Sequence, residues 1–173
     1  MKTLLFFLFI FSTVYSNIRP LQEKDIEVLY EMICNLASHD GVDSATFPVT
    51  KEKLQKYGFG PNRYFLGEVA EIDEKVVGYA LYYYTFSGYQ GSPVLYINNL
   101  YVKPDYRGQG IGTQLLKRLA QYGVEHECCR IALDVFEWNE TAFAFFKKFG
   151  GQLKKDLILV RLEKEAMHQL AAD

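Results

Sequence analysis

The chain has 173 residues, about the length of one domain, and 49% of them are hydrophobic, so it can bury a full core. The net charge of -2 and the pI near 6.0 show no basic excess, which excludes nucleic acid as the expected partner. The three cysteines are an odd number and two of them are adjacent, which argues against a disulfide framework. The three histidines stand in no zinc-ligand spacing, so no metal site is predicted.

The first sixteen residues have the pattern of a secretory signal peptide. Lys2 supplies a positive charge, residues 4–14 are mostly apolar, and Ser16 ends a small-residue cleavage site. The apolar run is too short for a comfortable transmembrane helix, so no stable membrane span is predicted. The alternative is an N-terminal extension that is retained in the cytosol. The sequence therefore leaves two compartments open, secretory and cytoplasmic, and predicts a single domain over 17–173.

Strand and helix patterns alternate along the rest of the chain. Runs rich in β-branched and aromatic residues predict strands at 17–21, 64–72, 76–86, 94–102, 129–136 and 157–163. Apolar residues at helical spacing predict helices at 23–38, 51–57, 112–127 and 142–149. Thr50 is expected to cap the second helix and Gly58 to end it. The order βααβββαβαβ, followed by a short helical tail, predicts an α/β fold: a mixed, mostly antiparallel sheet with helices on both faces.

A glycine-rich loop joins the strand at 94–102 to the helix at 112–127. It consists of Arg107, Gly108, Gln109, Gly110, Ile111, Gly112 and Thr113. Such a loop at a helix N-terminus directs several backbone N–H groups and the positive end of the helix dipole at one point, which suits a phosphate group. Thr113 stands where both a Rossmann loop and a Walker loop would need glycine, so neither motif applies. A turn that needs glycine only for its backbone angles is the alternative.

This loop, directly after an apolar strand, resembles the pyrophosphate loop with which acetyltransferases of the GNAT superfamily hold acetyl-CoA. Further blocks resemble the diamine acetyltransferase branch, which contains spermidine/spermine and thialysine acetyltransferases. These blocks are Ile18-Arg19-Pro20 with Asp25, Tyr57-Gly58-Phe59-Gly60, Val77-Gly78-Tyr79-Ala80-Leu81-Tyr82-Tyr83, Asp105-Tyr106 before the loop, and Trp138-Asn139-Glu140. The resemblance covers nearly all of 18–163.

The resemblance implies a GNAT acyl-CoA N-acyltransferase fold and an acetyl-CoA-dependent N-acetyltransferase that acts on a primary amine of a small molecule. It places the backbone N–H groups of Leu100, Tyr101 and Val102 near the thioester carbonyl and Asn139 against the cofactor arm. Asn139 also precedes a predicted helix, so it is a candidate helix cap as well. Together with the aromatic strand at 76–86, the resemblance implies a homodimer.

Three positions depart from that branch in the half of the site that would handle substrate and protons. Asn98 and Asn99 stand where the branch has a Glu-Asp pair that attracts the polyamine, and Phe146 stands where it has a tyrosine that protonates the leaving thiolate. Asparagine is no base and phenylalanine no proton donor. We therefore expect a shift away from spermine and spermidine toward a less cationic amine, with water or another tyrosine such as Tyr101 moving protons.

His39 and Asp40 align with substrate-side residues of the family at the loop after the first helix, and a solvated loop is their alternative interpretation. Two functions remain at this point: an amine N-acetyltransferase with shifted specificity, or a CoA-binding domain without turnover that serves a regulatory or dimerising role. The tripeptide that starts at Asn139 is a glycosylation acceptor pattern, which would matter if the chain enters the secretory pathway.

Overall fold

A computed structural model describes residues 15–43, 47–154 and 156–172. The predicted signal peptide therefore lies outside the described residues except for its last two. Of these, Ser16 is buried and donates from its backbone N–H and its hydroxyl to Gln114 Oε1, at 3.2 and 3.1 Å. Cleavage after Ser16 would remove these two bonds. The described residues form two compact units, one that ends at Asp134 and one that begins at Val135. The single domain over 17–173 stays a prediction.

The first unit is built on one five-stranded sheet in the order β1-β2-β3-β4-β5. Its strands are β1 Asn17–Pro20, β2 Leu66–Ile72, β3 Lys75–Ser87, β4 Ser92–Val102 and β5 Arg130–Leu133. The first four strands pair antiparallel, and β5 pairs parallel to β4. This confirms the mixed, mostly antiparallel sheet. The long β3 and β4 form its centre because their apolar residues alternate between two buried faces.

Helices cover both faces of this sheet, as predicted. The helices of the first unit are α1 Ile26–His39, α2 Lys51–Phe59 and α3 Ile111–Glu125. On the face of α1 and α2, Leu29 and Met32 share a core with Tyr79. On the opposite face, Leu115 and Leu119 of α3 share a second core with strand residues. The sheet therefore separates two apolar clusters, and α3 holds the second one in place.

Helix α2 extends two residues beyond its predicted end at Tyr57, so the prediction that Gly58 stops it is wrong. The helix continues to Phe59 and is capped by Gly60. Gly58 is required for packing, because a Cβ built on it would lie 2.5 Å from Cζ of Phe65. Gly58 is therefore explained by its packing against the ring of Phe65, and it does not mark the end of the helix.

The second unit contains α4 Glu140–Lys148 and α5 Lys164–Ala172. The tail is helical as predicted. The strand predicted at 157–163 is wrong, since none of those residues belongs to a strand. An extended run forms a strand only when a neighbour pairs with its backbone, and no β-strand lies among the described residues of this unit. For the same reason the strand predicted at 129–136 ends at Leu133, where its pairing with β4 ends.

None of the helices in the described part of the chain combines the length and hydrophobicity that crossing a membrane requires.

Arg19 connects β1 to β2 and to the turn before α1. Its guanidinium donates to both carboxylate oxygens of Asp25, at 2.7 and 3.0 Å, and twice to Oε2 of Glu71, at 2.7 and 3.0 Å. Asp25 is buried and also accepts from the backbone N–H of Gln22 at 2.9 Å. Burial alone would raise the pKa of Asp25, but the bonds from Arg19 and Gln22 outweigh it and lower that pKa below its usual value.

We expect Asp25→Ala to lower the free energy of unfolding by about 3 kcal/mol at pH 7, because Arg19 then keeps its charge with one partner missing. Since the pKa of Asp25 is lowered by folding, its contribution is complete above the unfolded value of about 3.9 and is lost as the pH falls through the folded pKa. Urea titrations at pH 7 and below pH 4 measure both effects. Lys51→Ala, which breaks the exposed pair with Glu27, is the control and should leave the midpoint unchanged. Equal effects of the two variants would contradict the prediction.

Candidate functional site

Strands β4 and β5 diverge in the middle of β4. They pair from Val94 opposite Arg130 to Ile97 opposite Leu133, after which β5 ends and β4 continues to Val102 beside β3 only. Beyond Ile97, one side of β4 is therefore released from β5. Backbone groups on that side are available to something other than a strand.

The hydrogen-bond pattern decides which groups of β4 face the released side. Lys103 N–H donates to the carbonyl of Val77 at 2.9 Å, which makes Gly78 and Val102 a non-hydrogen-bonded pair of the antiparallel ladder. By alternation, the N–H groups of Val102 and Leu100 point away from β3. The intervening residue, Tyr101, directs its N–H toward β3 instead. Of the three residues predicted to supply N–H groups, Leu100 and Val102 have the required direction.

The glycine-rich loop follows β4 directly. After the 3-10 turn Pro104–Tyr106, Gly108 and Gly110 adopt φ values of +74° and +86°, and α3 begins at Ile111. Left-handed residues in such a turn make successive N–H groups converge, and Gly110 is the N-cap of the 15-residue helix α3. Ile111 is itself a core residue, so its contribution to a ligand is restricted to its backbone.

Two side chains hold this loop against its own strand and turn. Arg107 donates from Nε to the carbonyl of Val102 at 2.9 Å, and its guanidinium lies over the ring of Tyr101, 5.6 Å from the centroid. Gln109 donates from Nε2 to the carbonyl of Asp105 at 3.1 Å. The loop is therefore preorganised. The Val102 carbonyl of β4 accepts from Arg107 and not from β3, as expected for a residue whose backbone groups point away from β3.

Asn98 occupies a β-bulge. Leu81 pairs with Asn99 and Tyr82 with Ile97, so Asn98 has no partner in β3. Its amide Nδ2 donates to Oδ1 of Asn99 at 3.1 Å. The bulge lies where β5 stops pairing, which places the two predicted substrate residues at the point of divergence.

One face of the sheet gathers polar groups at this point. Leu81 packs on the α1 and α2 side, and because side chains of opposed residues share a face, Asn99, Tyr83 and Tyr96 lie on that side too. The rings of Tyr83 and Tyr96 stack at 5.1 Å. Burial raises the pKa of Tyr96, and a hydrogen bond to the carboxylate of Asp134 adds to the shift.

Asp134 is a candidate site residue that sequence reasoning did not select. It follows β5 immediately, is exposed, and lies on the face that carries Tyr96. The available signal was an acid directly after a strand that pairs parallel to its neighbour, since side chains at the carboxyl end of such strands gather at one edge. The register, which ends with Ile97 opposite Leu133 just before Asp134, was not visible in the sequence.

The predicted substrate residues on α1 lie on the same face. Asp40 caps the C-terminus of α1, and its Oδ1 lies 3.1 Å from Nδ1 of His39. Burial raises the pKa of the Tyr79 hydroxyl, and the charges of Tyr101 and Asp40 add to the shift. The ring centroids of Tyr79 and Tyr101 are 5.9 Å apart.

Two predicted site residues belong to the second unit. Asn139 caps α4, because its side chain accepts from the N–H of Ala142 at 3.0 Å, so the cap interpretation is confirmed. Phe146 lies on α4, with its ring against that of Phe145 at 5.1 Å. Helix α4 contains no tyrosine, as its sequence shows.

Comparisons with known proteins identify the family of this chain. The profile of the acetyltransferase (GNAT) family matches residues 30–151. Thialysine N-epsilon-acetyltransferase of Mus musculus is 36% identical over 167 residues, which cover 90% of this chain and 97% of that protein. Spermidine/spermine N(1)-acetyltransferase-like protein 1 of Homo sapiens is 31% identical over 144 residues, 79% of this chain and 20% of that protein.

Solved structures share the fold. An integron cassette protein from the mobile metagenome of V. cholerae superimposes with a TM-score of 0.76 at 26% identity, over 91% of this chain and 98% of its own. An aminoglycoside acetyltransferase from an uncultured soil sample reaches a TM-score of 0.70 at 22% identity, over 86% and 95%. The chain belongs to the GNAT acetyltransferase family, whose members use acetyl-CoA as co-substrate. It is an amine N-acetyltransferase, and the alternative of a CoA-binding domain without turnover is not favoured.

Proposed function

We propose that this enzyme acetylates the primary amine of a small, thialysine-like or diamine-like molecule at the point where β4 and β5 diverge. The observation that carries the proposal is the position of this divergence within the first unit: it lies between the glycine-rich loop on one side and Asn98, Asn99 and Asp134 on the other. Phosphate-binding groups and amine-binding groups therefore flank one released strand edge.

The loop residues from Arg107 to Thr113 fit the pyrophosphate of acetyl-CoA. Space is open around Gly108, where an added Cβ would meet nothing within 4 Å, so a ligand can approach the backbone closely. The N–H groups of Leu100 and Val102 then suit the thioester carbonyl, which becomes negatively charged as the amine attacks. Asn139 remains the proposed contact for the cofactor arm in addition to its capping role. Acetyl-CoA supplies the activated acetyl group, and the chain supplies position and hydrogen bonds.

The substrate half of the site favours a molecule with one reactive ammonium over a polycation. Asn98 and Asn99 offer amide dipoles in place of charges, while Asp134 and Asp40 each supply a carboxylate on the same face. We propose that Asp134 attracts the ammonium and accepts its proton, with Tyr96 holding the carboxylate in place. His39 orients Asp40 from the α1 side. Tyr101 stays a candidate for carrying protons.

A direct assay tests the function. Purified protein is mixed with acetyl-CoA and thialysine, ornithine, putrescine or spermidine, and release of free thiol is followed. We expect turnover with the first three to exceed that with spermidine. If acetyl-CoA binds and no amine releases thiol, the proposed reaction is excluded.

A homodimer is also proposed from the family, and light scattering of the purified protein tests it.

Phe146→Tyr is expected to raise kcat, because it restores a phenol where related enzymes carry a candidate acid for the leaving thiolate. General acid catalysis typically contributes about 10²–10⁴-fold, so a gain of about 10-fold is measurable even if the geometry is imperfect. Phe145→Tyr, at the adjacent position of the same helix, is the matched control and should leave kcat unchanged. An equal gain in kcat in both variants would show that the gain does not depend on a phenol at position 146.

A further inference from the structure

A cavity lies at the end of α3 opposite the glycine-rich loop. Its volume is about 240 Å³, room for roughly eight water molecules at 30 Å³ each. Tyr122 of its lining is eleven residues along α3 from Ile111, or about 16 Å at 1.5 Å per residue. Tyr82 and Tyr84 of its lining face α3, on the side of the sheet opposite Asn99. The cavity is therefore separate from the glycine-rich loop and lies on the other face of the sheet from the proposed amine-binding residues.

A carboxylate with one unused oxygen lines this cavity. Glu68 of β2 is only 1% exposed. Its Oε1 accepts from the hydroxyl of Tyr122 at 3.1 Å, but its Oε2 has no hydrogen-bond partner. A buried acceptor left without a donor is costly, so this oxygen is a place where a ligand donor would stabilise the protein.

The nearest cation does not satisfy that oxygen. Nε of Arg118 lies 3.9 Å from Oε2 of Glu68, too far for a hydrogen bond. Arg118 instead donates to the hydroxyl of Tyr122 at 2.8 Å and to Oε1 of Gln121 at 3.3 Å, and it lies over the ring of Tyr122. Burial raises the pKa of Glu68, with the bond from Tyr122 and the charge of Arg118 opposing the rise. The ionised form therefore gains from a further positive partner.

Aromatic rings line the same cavity as this carboxylate. Tyr82 stacks on Tyr122 at 5.9 Å, and Tyr84 stacks on His126 at 5.0 Å, and all four line the cavity. Ring faces beside a carboxylate suit an ammonium group that carries an apolar body. Arg63 also lines the cavity and is exposed, so it offers a cation at the mouth for a carboxylate.

We propose that this cavity binds a small free amino acid as a zwitterion, with its ammonium on Oε2 of Glu68, its carboxylate on Arg63 and its apolar side chain against Tyr82 and Tyr84. The site is distinct from the one that transfers acetyl groups. It would take an aliphatic amino acid, since the lining offers rings rather than further polar partners beyond those named.

Calorimetry and NMR with L-leucine test the site, using 4-methylpentanoate, which lacks the amine, and isoamylamine, which lacks the carboxylate, as matched probes. We expect leucine to bind more tightly than either probe and to shift the signals of Tyr122 and His126 but not those of Gly108. Glu68→Gln keeps an oxygen to accept from Tyr122 and should weaken binding about 10-fold or more. Arg63→Gln should weaken leucine but not isoamylamine.

The proposal is overturned if leucine fails to bind at millimolar concentration, if Glu68→Gln binds it as well as the unaltered protein does, or if the shifted signals belong to the glycine-rich loop. Thermal unfolding of Glu68→Gln shows whether the variant is folded. If it is not, the Arg63→Gln comparison, which alters only an exposed side chain, decides the question with the same three probes.

Discussion

Replacing Asp134 with asparagine is expected to lower kcat/KM for the amine by about 10²-fold, with little change in the KM for acetyl-CoA. The substitution keeps the size of the side chain and its capacity to accept from Tyr96 but removes the charge that attracts the ammonium and accepts its proton. General base catalysis alone is typically worth about 10²–10⁴-fold. Steady-state kinetics with each substrate varied in turn separate the two effects.

Two variants make this experiment specific. Asp73→Asn removes an equivalent charge from the exposed turn between β2 and β3, where φ is +47° and asparagine is tolerated, and should change neither constant. Tyr96→Phe keeps the stacked ring and removes its bond to Asp134, so an intermediate loss is expected. A rate in Asp134→Asn equal to that in Asp73→Asn would assign proton removal to another group.

Gly108→Ala is expected to raise the KM for acetyl-CoA about 10-fold. At φ +74° an alanine is strained by about 1–2 kcal/mol, and relief of that strain turns the backbone N–H groups away from the point on which they converge. Space is no obstacle, since nothing lies within 4 Å of an added Cβ. Kinetics with acetyl-CoA varied, or direct titration of CoA, measures the change.

Gly91→Ala is the matched control for that loss. Gly91 ends the turn between β3 and β4, has φ +62°, and is equally open around its Cβ position. Both variants carry similar backbone strain, so both should lose a few degrees of melting temperature, while only Gly108→Ala should weaken acetyl-CoA. If Gly108→Ala loses the same stability as Gly91→Ala but keeps its KM for acetyl-CoA, the loop does not bind the cofactor.

The features that the sequence predicted well are local. The glycine-rich loop, the cap at Asn139 and the alternation of β3 and β4 each depend on residues close together in the chain, and the structure has them where their patterns lie. Gly58 was misread because the ring that requires it, Phe65, comes from the next segment.

The features that escaped prediction depend on pairing between distant segments. Asp134 is a candidate for the amine site only because β5 pairs parallel to β4 in a register that ends at Ile97. The partnerless oxygen of Glu68 likewise depends on how β2 meets the end of α3. A strand pattern at 157–163 has the right periodicity, but a strand also needs a partner, which periodicity does not supply.

The bulge at Asn98 has a consequence for the evolution of this strand. Leu95 and Ile97 face α3, and so do Leu100 and Val102, although the two pairs are separated by an odd number of positions. The extra residue, Asn98, shifts the alternation of side chains by one position and so brings Leu100 and Val102 back to the face of α3. Without it, the second half of β4 would rotate by half a turn, and the edge released from β5 would present carbonyl and N–H groups of the opposite set. The pairing of β4 therefore constrains the number of residues at the bulge and not the chemistry of their side chains.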